Sequence, residues 1–110
     1  MRQQLFTVTM TSGALSSPVV TMGVLFQKVY VDVPSMPSGS LQMLASYDNS
    51  VYKNLHNPVG SNANTIWSVN SAVVANGGFF EVPAGFQYYK LESTSGVTQV
   101  TNLINFIGVY

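Results

Sequence analysis

LQMLASYDNSVYKNL, Leu41 to Leu55, decides how the chain folds. Leu41, Met43, Ala45 and Tyr47 alternate with Gln42, Leu44 and Ser46, a period of two that fits a pleated strand and no helical stripe. Asp48-Asn49-Ser50 then turn the chain, because their short side chains bond back to the local backbone and Asn tolerates a positive φ. After the turn Val51, Lys53 and Leu55 alternate with Tyr52 and Asn54. Asp, Asn and Ser beside an aromatic ring also invite a catalytic or metal-site reading. The strand pattern on both sides reads instead as the corner of a β-hairpin.

The same alternation extends in both directions. Phe6, Val8 and Met10 share one face against Thr7, Thr9 and Thr11, and β-branched Thr and Val favour a pleated setting. Gly13 and Ser16-Ser17-Pro18 punctuate. The run from Gly23 to Val33 sets Val29, Val31 and Val33 opposite Lys28, Tyr30 and Asp32, and Pro34-Ser35-Met36-Pro37-Ser38-Gly39 ends it. His56 to Asn64 reads as a loop, Ile66 to Val69 as a short strand and Ala72 to Ala75 as another. Asn76-Gly77-Gly78 predicts a turn, Phe79 to Val82 a strand, and Pro83-Ala84-Gly85 its end. From Phe86 to Ser93, Tyr89 and Leu91 oppose Phe86, Tyr88 and Lys90, before a turn at Ser93 to Gly96. Thr98 to Tyr110 is apolar on both faces, which suits a central strand or one whose outer face meets another subunit. About eight short strands without a substantial helix predict an all-β antiparallel sandwich or barrel, in one domain over residues 1–110.

Composition limits function. Only 7% of the 110 residues are charged, against about 25% in an ordinary domain, and four basic residues balance four acidic ones. Nucleic-acid binding, which rests on neutralising phosphates with Lys and Arg, is therefore not expected. A net charge near zero also does little to hold copies apart. Ser, Thr, Asn and Gln make up about a third of the chain, and neutral groups are easier to desolvate than ions. The surface reads as one built to be covered. With no Cys and a small domain that buries about 65% of its unfolded surface, extra stability would come from a partner. The most apolar stretch, Val19 to Val33, carries Gln27, Lys28 and Asp32 and is too short to span a bilayer, so no membrane partner is expected.

Catalysis finds little support. His56 is the sole histidine and lies in a loop, no Gly-x-Ser-x-Gly elbow occurs, and each carboxylate falls near a strand end or turn. Glu81 and Glu92 are expected to pair with Lys90 or Lys53 across strands. No metal-ligand spacing or phosphate-cradling loop is present, and no cofactor is expected. The chain is expected not to be an enzyme. Aromatic residues remain. Trp67 and most Phe residues read first as core and the Tyr residues as lining sheet faces or an interface. Arg2, Tyr30, Tyr88, Phe106 and Tyr110 are the candidates for a protein interface, and Tyr52 and Trp67 for the alternative, a sugar-stacking platform.

The order of elements also resembles a known group. A strand and Pro-containing loop precede Leu41 to Leu55, and a long loop leads to Val82-Pro83-Ala84-Gly85-Phe86-Gln87-Tyr88-Tyr89-Lys90-Leu91-Glu92-Ser93 and a last apolar strand. This resembles small β-sandwich virion proteins of tailed bacteriophages, with their Ser-Asp-Gly-x-x-Tyr/Trp-x-x-Leu hairpin and aromatic-Tyr-x-Lys-Leu-x-Ser strand. Tyr47 separates Ser46 from Asp48 here, and Asn49 stands where Gly is common. The resemblance implies a jelly-roll-like capsid decoration (cement) protein. Such a protein is a homo-oligomer, often a trimer, seated on the major capsid protein at the outer surface of the virion after synthesis in the host cytoplasm. Carbohydrate-binding or tail and fibre adhesion modules are the alternative. Met1 to Gln4 would be a flexible arm that orders on docking.

Overall fold

A computed structural model describes residues 2–11, 15–34, 40–57, 65–70, 77–93 and 102–110. Among these residues nine strands run in chain order: β1 Gln3–Met10, β2 Val20–Thr21, β3 Lys28–Val33, β4 Ser40–Ser46, β5 Lys53–Asn54, β6 Ser68–Asn70, β7 Gly78–Val82, β8 Tyr88–Ser93 and β9 Asn102–Val109. They form two antiparallel sheets. One has four strands in the order β1-β9-β3-β7, the other five, β2-β8-β4-β5 with β6 also paired to β4. The chain passes from sheet to sheet at almost every connection, which is jelly-roll wrapping. β5 and β6 flank the same side of β4, β5 at Leu44–Ala45 and β6 at Ser40–Gln42, so they act as one interrupted edge strand. The expected count of about eight becomes nine for that reason.

The expected faces hold wherever a strand forms. Val29, Val31 and Val33 are buried on β3, Leu41, Met43 and Ala45 on β4, Tyr89 and Leu91 on β8, and Val8 and Met10 on β1. Burying one such aliphatic side chain is worth about 1.5–3 kcal/mol. Tyr89 and Phe106 meet across the two sheets at 6.1 Å between ring centroids. The Tyr89 hydroxyl donates to the Pro83 carbonyl at 2.9 Å, and burial pushes its pKa up to about 12. Ser17, in the expected Ser16-Ser17-Pro18 break, extends the five-stranded sheet: its hydroxyl oxygen accepts the Leu91 N–H and its own N–H donates to Leu91, both at 2.9 Å.

Four expectations change. Gly23 to Gln27 is not strand; β3 begins at Lys28, and Phe26 folds back as a plug against Phe6 and Tyr110. Gln3 and Gln4 are no free arm, because they pair with Val109 and Gly108, and the Tyr110 N–H donates to the Arg2 carbonyl at 3.0 Å. Tyr47 leaves the face it was expected to share with Leu41, Met43 and Ala45, since β4 stops at Ser46 and Tyr47 is 79% exposed. Glu81 stands opposite Tyr30 and Glu92 opposite Gln42, so neither carboxylate faces a lysine directly across its ladder. The expected strand at Ala72 to Ala75 and the turn at Ser93 to Gly96 fall largely outside the described residues.

The Leu41 to Leu55 hairpin forms with Asn49 at φ 60. Ser46 Oγ donates to Asp48 Oδ1 at 2.9 Å and accepts the N–H groups of Asp48 at 3.2 Å and Asn49 at 2.9 Å. Asp48 Oδ1 accepts the N–H groups of Ser50 at 2.9 Å and Val51 at 3.1 Å. The bonds from Ser50, then Val51, then the Ser46 hydroxyl hold the Asp48 carboxyl below its ordinary range. Every lone pair in use points into the turn, so Asp48 is a corner former.

Two outcomes follow from this packing. A Cβ at Gly108 would lie 2.6 Å from the Phe26 ring, so Gly108→Ala is expected to cost about 1–3 kcal/mol in chemical denaturation. In the background of Phe26→Ala, which vacates that space, the added cost should vanish. Asp48→Asn should lower the melting temperature by a few degrees at pH 7. A carboxyl whose folded pKa is depressed stabilises above its unfolded pKa and ceases to do so as pH falls through the folded value. The gap between the two proteins should therefore close in strongly acid solution, and a pH-independent gap would contradict the assignment.

Candidate assembly interface

The outer face of the four-stranded sheet is assembled by register. The β1–β9 pairs Leu5–Ile107, Thr7–Asn105 and Thr9–Leu103 are continued by Tyr30 and Asp32 of β3, then by Glu81 and Phe79 of β7. Inward-facing Val8, Val31 and Phe106 alternate with them, so these side chains share the outward face. Three are large, apolar and exposed: Leu5 at 63%, Phe79 at 70% and Leu103 at 62%. Tyr30 and Ile107 are half-buried between them. Among the described residues Lys28, Asp32 and Glu81 are the only charges on the face, and Thr7 Oγ1 donates to Asn105 Oδ1 at 2.6 Å.

The opposite outer face, on the five-stranded sheet, differs in kind. Gln42, Tyr52, Asn54, Tyr88, Lys90 and Glu92 cover it, and Leu44 beneath them is buried. Asn54 Nδ2 donates to Gln42 Oε1 at 3.0 Å, and the Lys90 ammonium sits 4.6 Å from the centre of the Tyr52 ring. That contact is worth about 0.5–1 kcal/mol at an exposed site. One face satisfies its own groups, while the other presents uncovered hydrocarbon. By register Leu5, Ile107 and Tyr30 form one apolar row, Leu103 lies beyond the polar row Thr7, Asn105 and Asp32, and Phe79 lies at the far end of that polar row. Exposed apolar surface of this kind marks a candidate contact site.

The five residues expected at an interface separate into three places. Tyr30 lies on the apolar face. Tyr88 lies on the polar one. Arg2 and Tyr110 close one end of the sandwich, with the guanidinium 5.7 Å from the ring centre and the Tyr110 hydroxyl donating to Gln4 Oε1 at 3.2 Å. Phe106 must be withdrawn from the interface: it is 0% exposed, inward-facing and in contact with Tyr89. Leu5, Phe79 and Leu103 were missed. The signal for Leu103 was present in the doubly apolar last strand, but nothing local distinguishes the outward Phe79 from the inward Phe80 beside it.

The sugar platform does not form. Trp67 is buried, and its indole N–H donates to the Glu81 carbonyl at 2.9 Å, tying one sheet to the other. The Tyr52 ring is covered on one side by Lys90 and its hydroxyl donates to Asn49 Oδ1. A cleft of about 440 Å³ opens beside the hairpin between Tyr47, Val51, Leu55 and Phe86. Neither Asp48 nor His56 lines it. Among the described residues no group of three or more His, Cys, Asp and Glu could hold a metal ion.

No family model matches the sequence, and no curated protein matches it. Among solved structures the fold is similar to the crystal structure of the SPBc2 prophage-derived protein YomS, with a TM-score of 0.68. The match covers 99% of this chain and 94% of that one at 19% sequence identity. At that identity the likeness is one of fold.

Proposed function

We propose that this chain is a structural virion protein of a tailed bacteriophage, a capsid decoration protein that stabilises the head by binding across neighbouring capsomers. The observation that carries the reading is the apolar outer face of the four-stranded sheet on a chain with only 7% charged residues. The described prophage origin of YomS and the likeness of the Leu41–Leu55 hairpin and the Gly85–Ser93 strand to phage virion proteins support it.

The mechanism is thermodynamic. A surface that contacts only the assembled shell adds its binding free energy to that state and not to free capsomers, so the shell gains stability by mass action. A specific contact buries about 1,600 Å² in total. Leu5, Ile107 and Tyr30 form one apolar row for it, and Leu103 and Phe79 add exposed apolar side chains on either side of Asn105 and Asp32. Repetition over a lattice adds avidity to a modest single-site affinity. Scarce charges lower the desolvation cost of the contact, since Lys28, Asp32 and Glu81 alone must be paired or left at its rim.

The test is particle composition and location. Mass spectrometry of density-purified particles from the phage that carries this gene should find the chain in many copies, with immunogold label on heads. Phe79→Lys with Leu103→Lys should leave the melting temperature within a few degrees of the parent and reduce retention on heads at least tenfold. Label confined to tails, absence from particles, or unchanged retention of the double variant would each overturn the decoration role.

A further inference from the structure

β1 ends the four-stranded sheet, and it is an unusual edge. Natural sheets blunt their edges with charge, proline, bulges or short strands. Each of the other edges here obeys that rule: β2 has two residues, β5 has two including Lys53, β6 has three, and five-residue β7 carries Glu81. β1 is eight residues long, QQLFTVTM, with no charge and no proline, and it pairs with β9 residue for residue from Gln3 to Met10 without a bulge.

The hydrogen-bond parity of that edge can be worked out. The Tyr110 N–H donates to the Arg2 carbonyl at 3.0 Å, so Arg2 and Tyr110 are a bonded pair of the antiparallel ladder. Bonded and non-bonded pairs alternate. Gln4, Phe6, Val8 and Met10 thus spend their main-chain groups on β9, whereas Gln3, Leu5, Thr7 and Thr9 aim their N–H and C=O away from the sheet. All four of these residues are exposed, and no described residue bonds their main chain.

We infer that this edge pairs with the β1 edge of a second copy of the chain, antiparallel about a two-fold axis at Phe6. That register is the one that uses every free group: Gln3 bonds Thr9 of the second copy, Leu5 bonds Thr7, and the symmetric contacts repeat. Phe6 meets its own counterpart at a non-bonded position, where side chains approach most closely. Self-pairing is singled out by charge. An ionised residue on a strand beside a two-fold axis lies near its own copy and repels it, and β1 has none. Joining the two four-stranded sheets also makes their outer faces continuous, so Leu5 of each copy enlarges one shared apolar surface. The assembly is a dimer with an eight-stranded sheet, in place of the trimer that the resemblance to decoration proteins implied. It goes beyond the virion reading and does not rest on it.

Thr7→Pro tests the pairing, because proline removes an N–H that faces outward and leaves the β1–β9 bonds in place. Thr7→Val is the control that keeps the N–H. In analytical ultracentrifugation from micromolar to millimolar concentration, the full chain should rise from 11.9 kDa to twice that mass. Thr7→Pro should weaken the association at least tenfold and Thr7→Val should not. Amide exchange on the unaltered chain gives a readout independent of whether Thr7→Pro folds. The Gln3, Leu5, Thr7 and Thr9 amides should exchange at least tenfold more slowly at the high concentration. Concentration-independent exchange at those amides, a dimer that survives Thr7→Pro, a monomer throughout, or a trimer would each overturn the inference.

Discussion

β9 must satisfy two environments at once, and the rest of the molecule follows from that. Its inward residues, Ile104, Phe106 and Gly108, are the middle of the sandwich: Phe106 meets Tyr89 from the other sheet and Gly108 makes room for the Phe26 ring. Its outward residues Leu103 and Ile107 lie between β1 and β3 with no second layer over them among the described residues. A central strand that is apolar on both faces belongs in a three-layer arrangement. The chain supplies two layers. On the proposed reading, the third comes from another protein.

The distribution of polar groups agrees with this division. The five-stranded sheet closes its own outer surface with the Asn54–Gln42 bond and the Lys90–Tyr52 contact over buried Leu44. One end is closed by the Phe26, Tyr110 and Arg2 stack, whereas a cleft opens beside the hairpin that the Ser46–Asp48 corner turns. Trp67, the residue before β6, donates to the β7 backbone and so couples the interrupted edge to the opposite sheet. Among the described residues the four-stranded sheet presents exposed Leu5, Phe79 and Leu103 on its outer face and an uncharged edge at β1, side by side. They can be occupied together, since a copy added in the plane of the sheet leaves its face free for a lattice.

Much of the fold was legible because period two carries most of the information in a sandwich. The valines of β3, the Leu41–Ala45 face and the Tyr89–Leu91 face could each be assigned from alternation, and Asp48-Asn49-Ser50 announced its turn. Strand ends were less legible. Tyr47 has the parity of the core, but Ser46 Oγ accepts the main-chain N–H groups of Asp48 and Asn49 where β4 ends, and parity lapses there. Gly23 to Gln27 alternates with β3 and yet forms no strand, because Phe26 is drawn to a cavity at Gly108, far along the chain. The site was harder still. Phe106 was placed at an interface by its chemistry, and Trp67 offered a sugar platform only as the alternative to the core position it takes, whereas their partners, Tyr89 and the Glu81 carbonyl, are set by tertiary pairing. In a strand apolar on both sides, alternation alone cannot say which side is in.

Radical footprinting of the unmodified chain bears most directly on whether the apolar face is covered in the working state. In dilute solution Leu5, Phe79 and Leu103 should oxidise readily while buried Phe106 and Tyr89 do not. In the assembled particle the first three should become protected severalfold, with Tyr47 on the hairpin still reactive. Equal oxidation of Leu5, Phe79 and Leu103 in the two states would contradict a covered face and leave the scarcity of charge on this chain without a physical reason.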